Sequence, residues 1–182
     1  MKQLCVFCGS RTGAAPVFAN ETRKLGTALP RRGFGLVFGA GNIGLMGILA
    51  DAVREAGGST IGVIPKALVA RELAHPQLTD LRIVESMHDR KALMAGLSDA
   101  FLAIPGGFGT LDEFFEILTW AQLKIHAKPI GLLNTAGFFD PLLSWIDRAI
   151  TEDFIKEKNR ELLMIESDVE KMLDRIEAAL VK

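Results

Sequence analysis

Ala100-Phe-Leu-Ala-Ile-Pro-Gly-Gly-Phe-Gly-Thr-Leu-Asp-Glu113 decides how the rest of the chain is read. Ala100–Ile104 is a short apolar run of buried-strand character. It breaks at a turn carrying Gly106, Gly107 and Gly109. From Thr110 onward apolar residues recur at helical spacing, so the stretch predicts strand, glycine turn and helix in succession. Glycines let backbone N–H groups approach an anion without interference from a Cβ. The helix start adds unpaired donors at the positive end of its dipole. Glu113 and Glu116 follow one turn apart, so phosphate binding and acid chemistry are expected to meet in this one segment.

The same unit repeats outward along the chain. Further strands are expected at Leu4–Cys8, Gly35–Phe38, Thr60–Ile64, Leu81–Val84 and Pro129–Leu133. Helices are expected at Ala15–Leu29, Leu45–Ala56, Met87–Leu97, Thr110–Ile125, Phe139–Thr151 and Asp168–Leu180. Pro65–Asp80 reads as a long loop, and the residues between the last two helices as a broken segment. Strand alternating with helix predicts an α/β, Rossmann-like three-layer fold in one domain over 1–182, a parallel sheet with helices on both faces. Glycine turns at 9–13, 39–44 and 105–109 all follow strands. In a parallel sheet they crowd one carboxyl edge, where ligands of open α/β folds bind.

Composition narrows the partners. Lys and Arg total 21 against 22 Asp and Glu, a net charge of −1, which argues against nucleic acid or an anionic membrane as partner. Hydrophobic residues make up 49% of the chain, so some apolar surface is expected to meet another subunit. No apolar run reaches the length of a membrane span, and residues 1–10 lack the pattern of a signal peptide, so the expected location is cytoplasmic. Cys5 and Cys8 form a C-x-x-C on a strand-like run, where positions three apart face opposite sides; buried strand residues are the better reading than a redox pair. His75, His88 and His126 have no ligand spacing, so no metal site is expected.

Each motif carries more than one reading. Gly39-Ala-Gly-Asn-Ile-Gly44 matches G-x-G-x-x-G, but the next strand ends Val63-Ile64-Pro65-Lys66, without the acid a dinucleotide ribose needs. A tight packing turn remains open, and lining a mononucleotide pocket is preferred. Thr110-Leu-Asp-Glu113 matches a capping box, in which Glu113 would only satisfy the Thr110 backbone. Glu113, Glu116 and Thr119 form one polar stripe on an otherwise apolar helix, which must face something wet or charged. Arg90 and Lys91 follow the cap-like Ser86-Met-His-Asp89, at a helix end where cations oppose the dipole. An exposed pairing of Arg90 with Asp89 or Glu85 is one account; holding a phosphate or a catalytic carboxylate is the other.

These residues carry a resemblance. Pro105–Glu113 resembles the PGGxGTxxE signature of the LOG ("Lonely guy") family, the cytokinin riboside 5′-monophosphate phosphoribohydrolases, long labelled lysine decarboxylase-like. Met87–Lys91 resembles its MHxRK element, and Cys8–Ser10, Gly39–Gly47 and Thr119–Leu123 are similar to its other turns and helix. The resemblance implies cleavage of the N-glycosidic bond of AMP or N6-prenylated AMP, with no cofactor and no metal. It implies Arg90 and Glu113 as the catalytic pair. For substrate binding it implies Glu72, Lys91, Thr119, the second acid Glu116, and the loop of Gly106, Gly107, Gly109 and Thr110. The resemblance also implies a homodimer. Two departures are visible: Ala40 stands for a usual glycine and Asp112 for a usual glutamate. A nucleotide or cofactor carrier on the same fold is the first rival reading. A pyridoxal-phosphate decarboxylase built on Lys91 is the second, and it lacks an acid placed for the pyridine nitrogen.

Overall fold

The structure is a computed structural model that describes residues 1–72 and 74–181, the side chains of residues 70–72 excepted. Seven strands run β1 (Lys2–Phe7), β2 (Phe34–Phe38), β3 (Thr60–Pro65), β4 (Asp80–Val84), β5 (Ala100–Ala103), β6 (Ile130–Leu133) and β7 (Leu163–Glu166). Seven α-helices accompany them: α1 (Pro16–Arg31), α2 (Gly44–Glu55), α3 (Lys66–Glu72), α4 (Met87–Leu97), α5 (Phe108–Gln122), α6 (Asp140–Thr151) and α7 (Val169–Leu180). The strands form one sheet in the order β4-β3-β2-β1-β5-β6-β7, and every pairing is parallel.

Two cores sandwich that sheet. Leu4, Val6, Leu36 and Leu102 point to the face covered by α1, α2 and α7, where Leu25, Leu49 and Met172 meet them. Val37, Val63, Phe101 and Leu132 point to the other face, against Met94, Phe114 and Ile146 of α4, α5 and α6. Cys8 belongs to the first core and Cys5 to the second, as strand alternation requires, and both thiols are free. Burial pushes the Cys5 and Cys8 pKa values well up, and the negative charge of Glu113 adds to the shift.

Three expectations are corrected. The stretch 65–80 is not all loop: α3 follows β3 directly, and Asp80 already pairs in β4. The broken segment holds an edge strand, β7, paired with β6 from Ile130↔Leu163 to Leu133↔Glu166. The helix expected from Thr110 starts at Phe108, with Gly107 as its N-cap and no side-chain cap. Thr110 is therefore inside the first turn, and the Thr110–Glu113 capping box does not form. By contrast, α4 opens on the Ser86–Asp89 capping box, with Asp89 N–H donating to the Ser86 hydroxyl at 3.1 Å.

One ion-pair network fastens the last helix. Arg32, at the end of α1, reaches Glu170 and Asp174 at 2.6 Å each and Glu177 at 3.2 Å, all on or near α7. Its side chain keeps only 22% of its exposure, so the network is partly shielded from salt. Arg32→Ala is expected to cost about 1–2 kcal/mol, the sum of several half-exposed pairs. Urea unfolding checks this: the loss should shrink as salt is raised.

The sheet order reverses at β1. The chain winds from β1 outward to β4, then returns to place β5 on the other side of β1. The carboxyl ends of β1 and β5 thus flank the switch point at which open α/β sheets bind ligands.

Candidate active site

The three glycine turns do meet at that edge, and backbone contacts lock them together. Gly9 N–H donates to the Pro105 carbonyl at 3.1 Å, and Leu45 N–H donates to the Gly9 carbonyl at 3.0 Å. A Cβ on Gly44, which has φ +65°, would stand 2.2 Å from the Ser10 carbonyl carbon. A Cβ on Gly106 would stand 2.1 Å from Thr110 Oγ1 and 2.8 Å from Gly9 N. These glycines are required by the protein's own packing.

The glycines of the second turn also make close packing contacts. A Cβ on Gly39 would overlap the Arg90 guanidinium, and one on Gly41 would stand 2.6 Å from Met46 Cε. Of the three motif glycines only Gly39 borders the central cavity. The turn between β2 and α2 makes room for Arg90, Met46 and the Ser10–Arg11 backbone, so packing accounts for Gly41 and Gly44, while Gly39 both packs on Arg90 and lines the cavity. Ala40, with φ +64° and fully buried, holds the left-handed conformation that a glycine adopts without strain. Its carbonyl accepts the His75 N–H at 2.9 Å.

Gly107 and Gly109 differ. Neither has a positive φ, and a Cβ on either would meet nothing within 4 Å. Neither packing nor backbone geometry demands glycine there; the space left free opens onto a cavity of about 340 Å³. Its walls include Cys8, Ser10, Gly39, Arg90, Thr110 and Glu113. The first donors of α5, the N–H groups of Phe108, Gly109 and Thr110, start at this wall, since the first intrahelical bond is Leu111 N–H to the Gly107 carbonyl. The cavity therefore joins a helix N-terminus, a carboxylate and a guanidinium.

Arg90 is only 5% exposed. Its Nη2 donates to the Gly39 carbonyl at 3.0 Å, and Nη1 lies 3.8 Å from Met87 Sδ. Arg90 is thus buried and not the exposed cation of the surface reading, while Asp89 bonds Ser86 and Glu85 pairs with Lys66. The charges of both Glu113 and Arg90 are felt at the Cys5 thiol, one raising and the other lowering its pKa. Two groups far apart in sequence thus act on the same end of β1.

The remaining candidates lie elsewhere. Lys91 Nζ sits 3.2 Å from Asp112 and 3.2 Å from Glu116, tying α4 to α5. Burial opposes its charge, but the hydrogen bonds it donates to those carboxylates prevail and raise its pKa. Glu116 and Thr119 border an outer groove of α5 with Phe108, Phe115 and Trp120. The polar stripe is thereby divided: Glu113 faces the inner cavity, Glu116 and Thr119 the outer groove. Glu72 closes α3, and its side chain lies outside the described residues. Among the described residues no cluster of His, Cys, Asp and Glu is arranged to hold a metal ion. No described helix is long and apolar enough to cross a membrane.

The sequence places the turn at 9–13 on the ligand edge but does not single out Gly9, Ser10 and Arg11 as site residues. Their signal was topological: only the position of β1 beside β5 brings them against Gly106.

A family model described as "Possible lysine decarboxylase" matches residues 46–176. The chain is 49% identical over 163 residues to the cytokinin riboside 5′-monophosphate phosphoribohydrolase LOG of Oryza sativa subsp. japonica, covering 90% of this chain and 67% of that one. A cytokinin riboside 5′-monophosphate phosphoribohydrolase of Arabidopsis thaliana is 46% identical over 176 residues, covering 97% of this chain and 82% of the relative. Among solved structures, the molybdenum cofactor binding protein of Rippkaea orientalis superposes with a TM-score of 0.74 at 24% identity, covering 98% and 97% of the two chains. The molybdenum cofactor carrier protein of Chlamydomonas reinhardtii gives 0.73 at 21%, covering 100% and 99%. At that identity the likeness is one of fold.

Proposed function

We propose a function from the premise that the chain belongs to the LOG family, the cytokinin riboside 5′-monophosphate phosphoribohydrolases matched by the lysine-decarboxylase model. It is a nucleoside 5′-monophosphate N-glycosidase. Water adds to C1′ of AMP or N6-prenylated AMP, the C1′–N9 bond breaks, and the products are the free base and ribose 5-phosphate. The observation that carries this reading is the open space over Gly107 and Gly109 beside Glu113 and Arg90.

The chemistry follows from those groups. The 5′-phosphate is held by the first N–H groups of α5, where the dipole favours an anion. Bond breaking builds positive charge on the ribose, which the Glu113 carboxylate stabilises while it orients or deprotonates the water. Arg90, anchored on the Gly39 carbonyl, positions the sugar phosphate and balances the negative charge gathered in the cavity. Lys91 and Glu116, joined to one another, stiffen the α4–α5 wall, and Glu116 borders the outer groove with Thr119.

That groove also supports a homodimer. Phe108 is 95% exposed beside Phe115 and Trp120, an apolar surface that a second copy of the chain covers. The enzyme works in the cytoplasm, a reading in keeping with its two free buried thiols.

The decarboxylase alternative is disfavoured by Lys91, whose raised pKa and two carboxylate partners suit a permanent cation and not a Schiff-base amine. Incubation of the purified protein with AMP, CMP and isopentenyl-AMP, followed by chromatography, tests the proposal. Release of adenine or isopentenyladenine with ribose 5-phosphate is expected. Tight retention of nucleotide with no base released would select the carrier reading instead.

A further inference from the structure

A phosphate dianion entering a cavity that already holds the Glu113 carboxylate needs more positive charge than a helix end supplies. The cations near the cradle are differently committed. Lys91 is shared between Asp112 and Glu116. Arg90 is buried and fastened to the Gly39 carbonyl. A further cation at this edge is Arg11, on the turn after β1, which is exposed and makes no ion pair among the described residues.

Its position is well defined by the locked turns. A Cβ on Gly9 would lie 3.1 Å from the Arg11 carbonyl oxygen and 3.3 Å from Gly106 Cα, so the Arg11 backbone stands directly beside the glycine loop. Arg11 lines a second cavity of about 210 Å³ that also touches Gly106 and Gly107. That cavity shares Gly9, Ser10 and Gly107 with the one holding Glu113 and Arg90, so the two are neighbouring chambers. Phe18, Leu45 and Phe138 close the far wall of the second chamber and offer an anion no partner, which leaves Arg11 as its charged group.

Resting on the hydrolase reading above, we propose that Arg11 is a specificity-determining residue: its guanidinium closes over the 5′-phosphate from the adjoining chamber and makes the enzyme select phosphorylated nucleosides. The guanidinium fork suits a phosphate oxygen pair better than a lysine ammonium does. Its long, uncommitted side chain folds onto the anion when substrate arrives.

The test measures the AMP KM and kcat of wild type, Arg11→Gln and Arg11→Lys, and the Kd of ribose 5-phosphate for each by calorimetry. Arg11→Gln is expected to raise both KM and Kd about tenfold, the loss typical of one charge-assisted hydrogen bond, with kcat held within about twofold. Arg11→Lys should recover part of the loss, and the salt dependence of ribose 5-phosphate binding should be shallower in Arg11→Gln. KM and Kd both within about twofold of wild type would overturn the assignment, as would a fall in kcat at constant KM. A wild-type protein that releases no base, yet binds ribose 5-phosphate in an Arg11-dependent way, would refute the hydrolase reading and leave the phosphate contact standing.

Discussion

Glu113→Gln is expected to abolish base release from AMP, lowering kcat by about a thousandfold or more, with the protein still folded. Glutamine preserves the shape of the side chain on the second turn of α5 and removes only its charge. An amide neither stabilises a positive ribose nor accepts a proton from water. The fold does not depend on this carboxylate as a helix cap, because α5 is capped at Gly107. Adenine and ribose 5-phosphate assays measure the activity, and circular dichroism melting checks the fold. The thiols supply an independent control. Burial raises the Cys8 pKa most, and the Glu113 charge raises it further. Removing that charge must lower the Cys8 pKa, so its alkylation should accelerate at high pH in the variant. Turnover within tenfold of wild type would take Glu113 out of the mechanism.

Much of this candidate site is legible in the sequence, because it depends on local chemistry. The strand–turn–helix unit at 100–113 needs only an apolar run, a glycine cluster and a helical period, and those read directly. The capping box at Ser86–Asp89 places α4 from Met87 to Leu97, as its sequence predicts. What failed has physical causes. Phe108 is almost wholly exposed, so helical periodicity gives no reason to start α5 before Thr110. The four-residue edge strand β7 follows a charged segment and acquires its identity only by pairing with β6. Pro65 suggested a loop, yet it ends β3 and α3 begins at the next residue. The turn at 39–44 carries a phosphate-like pattern, but what occupies the space above a glycine is decided by residues distant in sequence. Arg90 and the backbone of Ser10 fill it from afar, with Met46 of the following helix.

That distinction between occupied and empty glycines gives the second large effect. Gly109→Ala is expected to stabilise the protein while lowering kcat/KM for AMP by about ten- to a hundredfold, the loss of one or two phosphate hydrogen bonds. Gly109 lies in the first turn of α5 without positive φ, and a methyl there meets nothing within 4 Å beyond its chain neighbours and its own helix backbone. Replacing a helical glycine by alanine gains about 0.5–1 kcal/mol, a rise in Tm of about 1–4 °C for a chain of this size. Gly106→Ala must behave oppositely, since its methyl would collide with Thr110 Oγ1 and the Gly9 backbone and would part β1 from β5. Thermal melts and AMP kinetics on the two variants separate the causes. A glycine kept for folding loses stability and activity together when substituted. A glycine kept for an anion loses activity as stability rises, because its missing methyl leaves the place where the phosphate oxygens meet the helix. Equal activity of Gly109→Ala and wild type would mean that the phosphate does not rest on the start of α5.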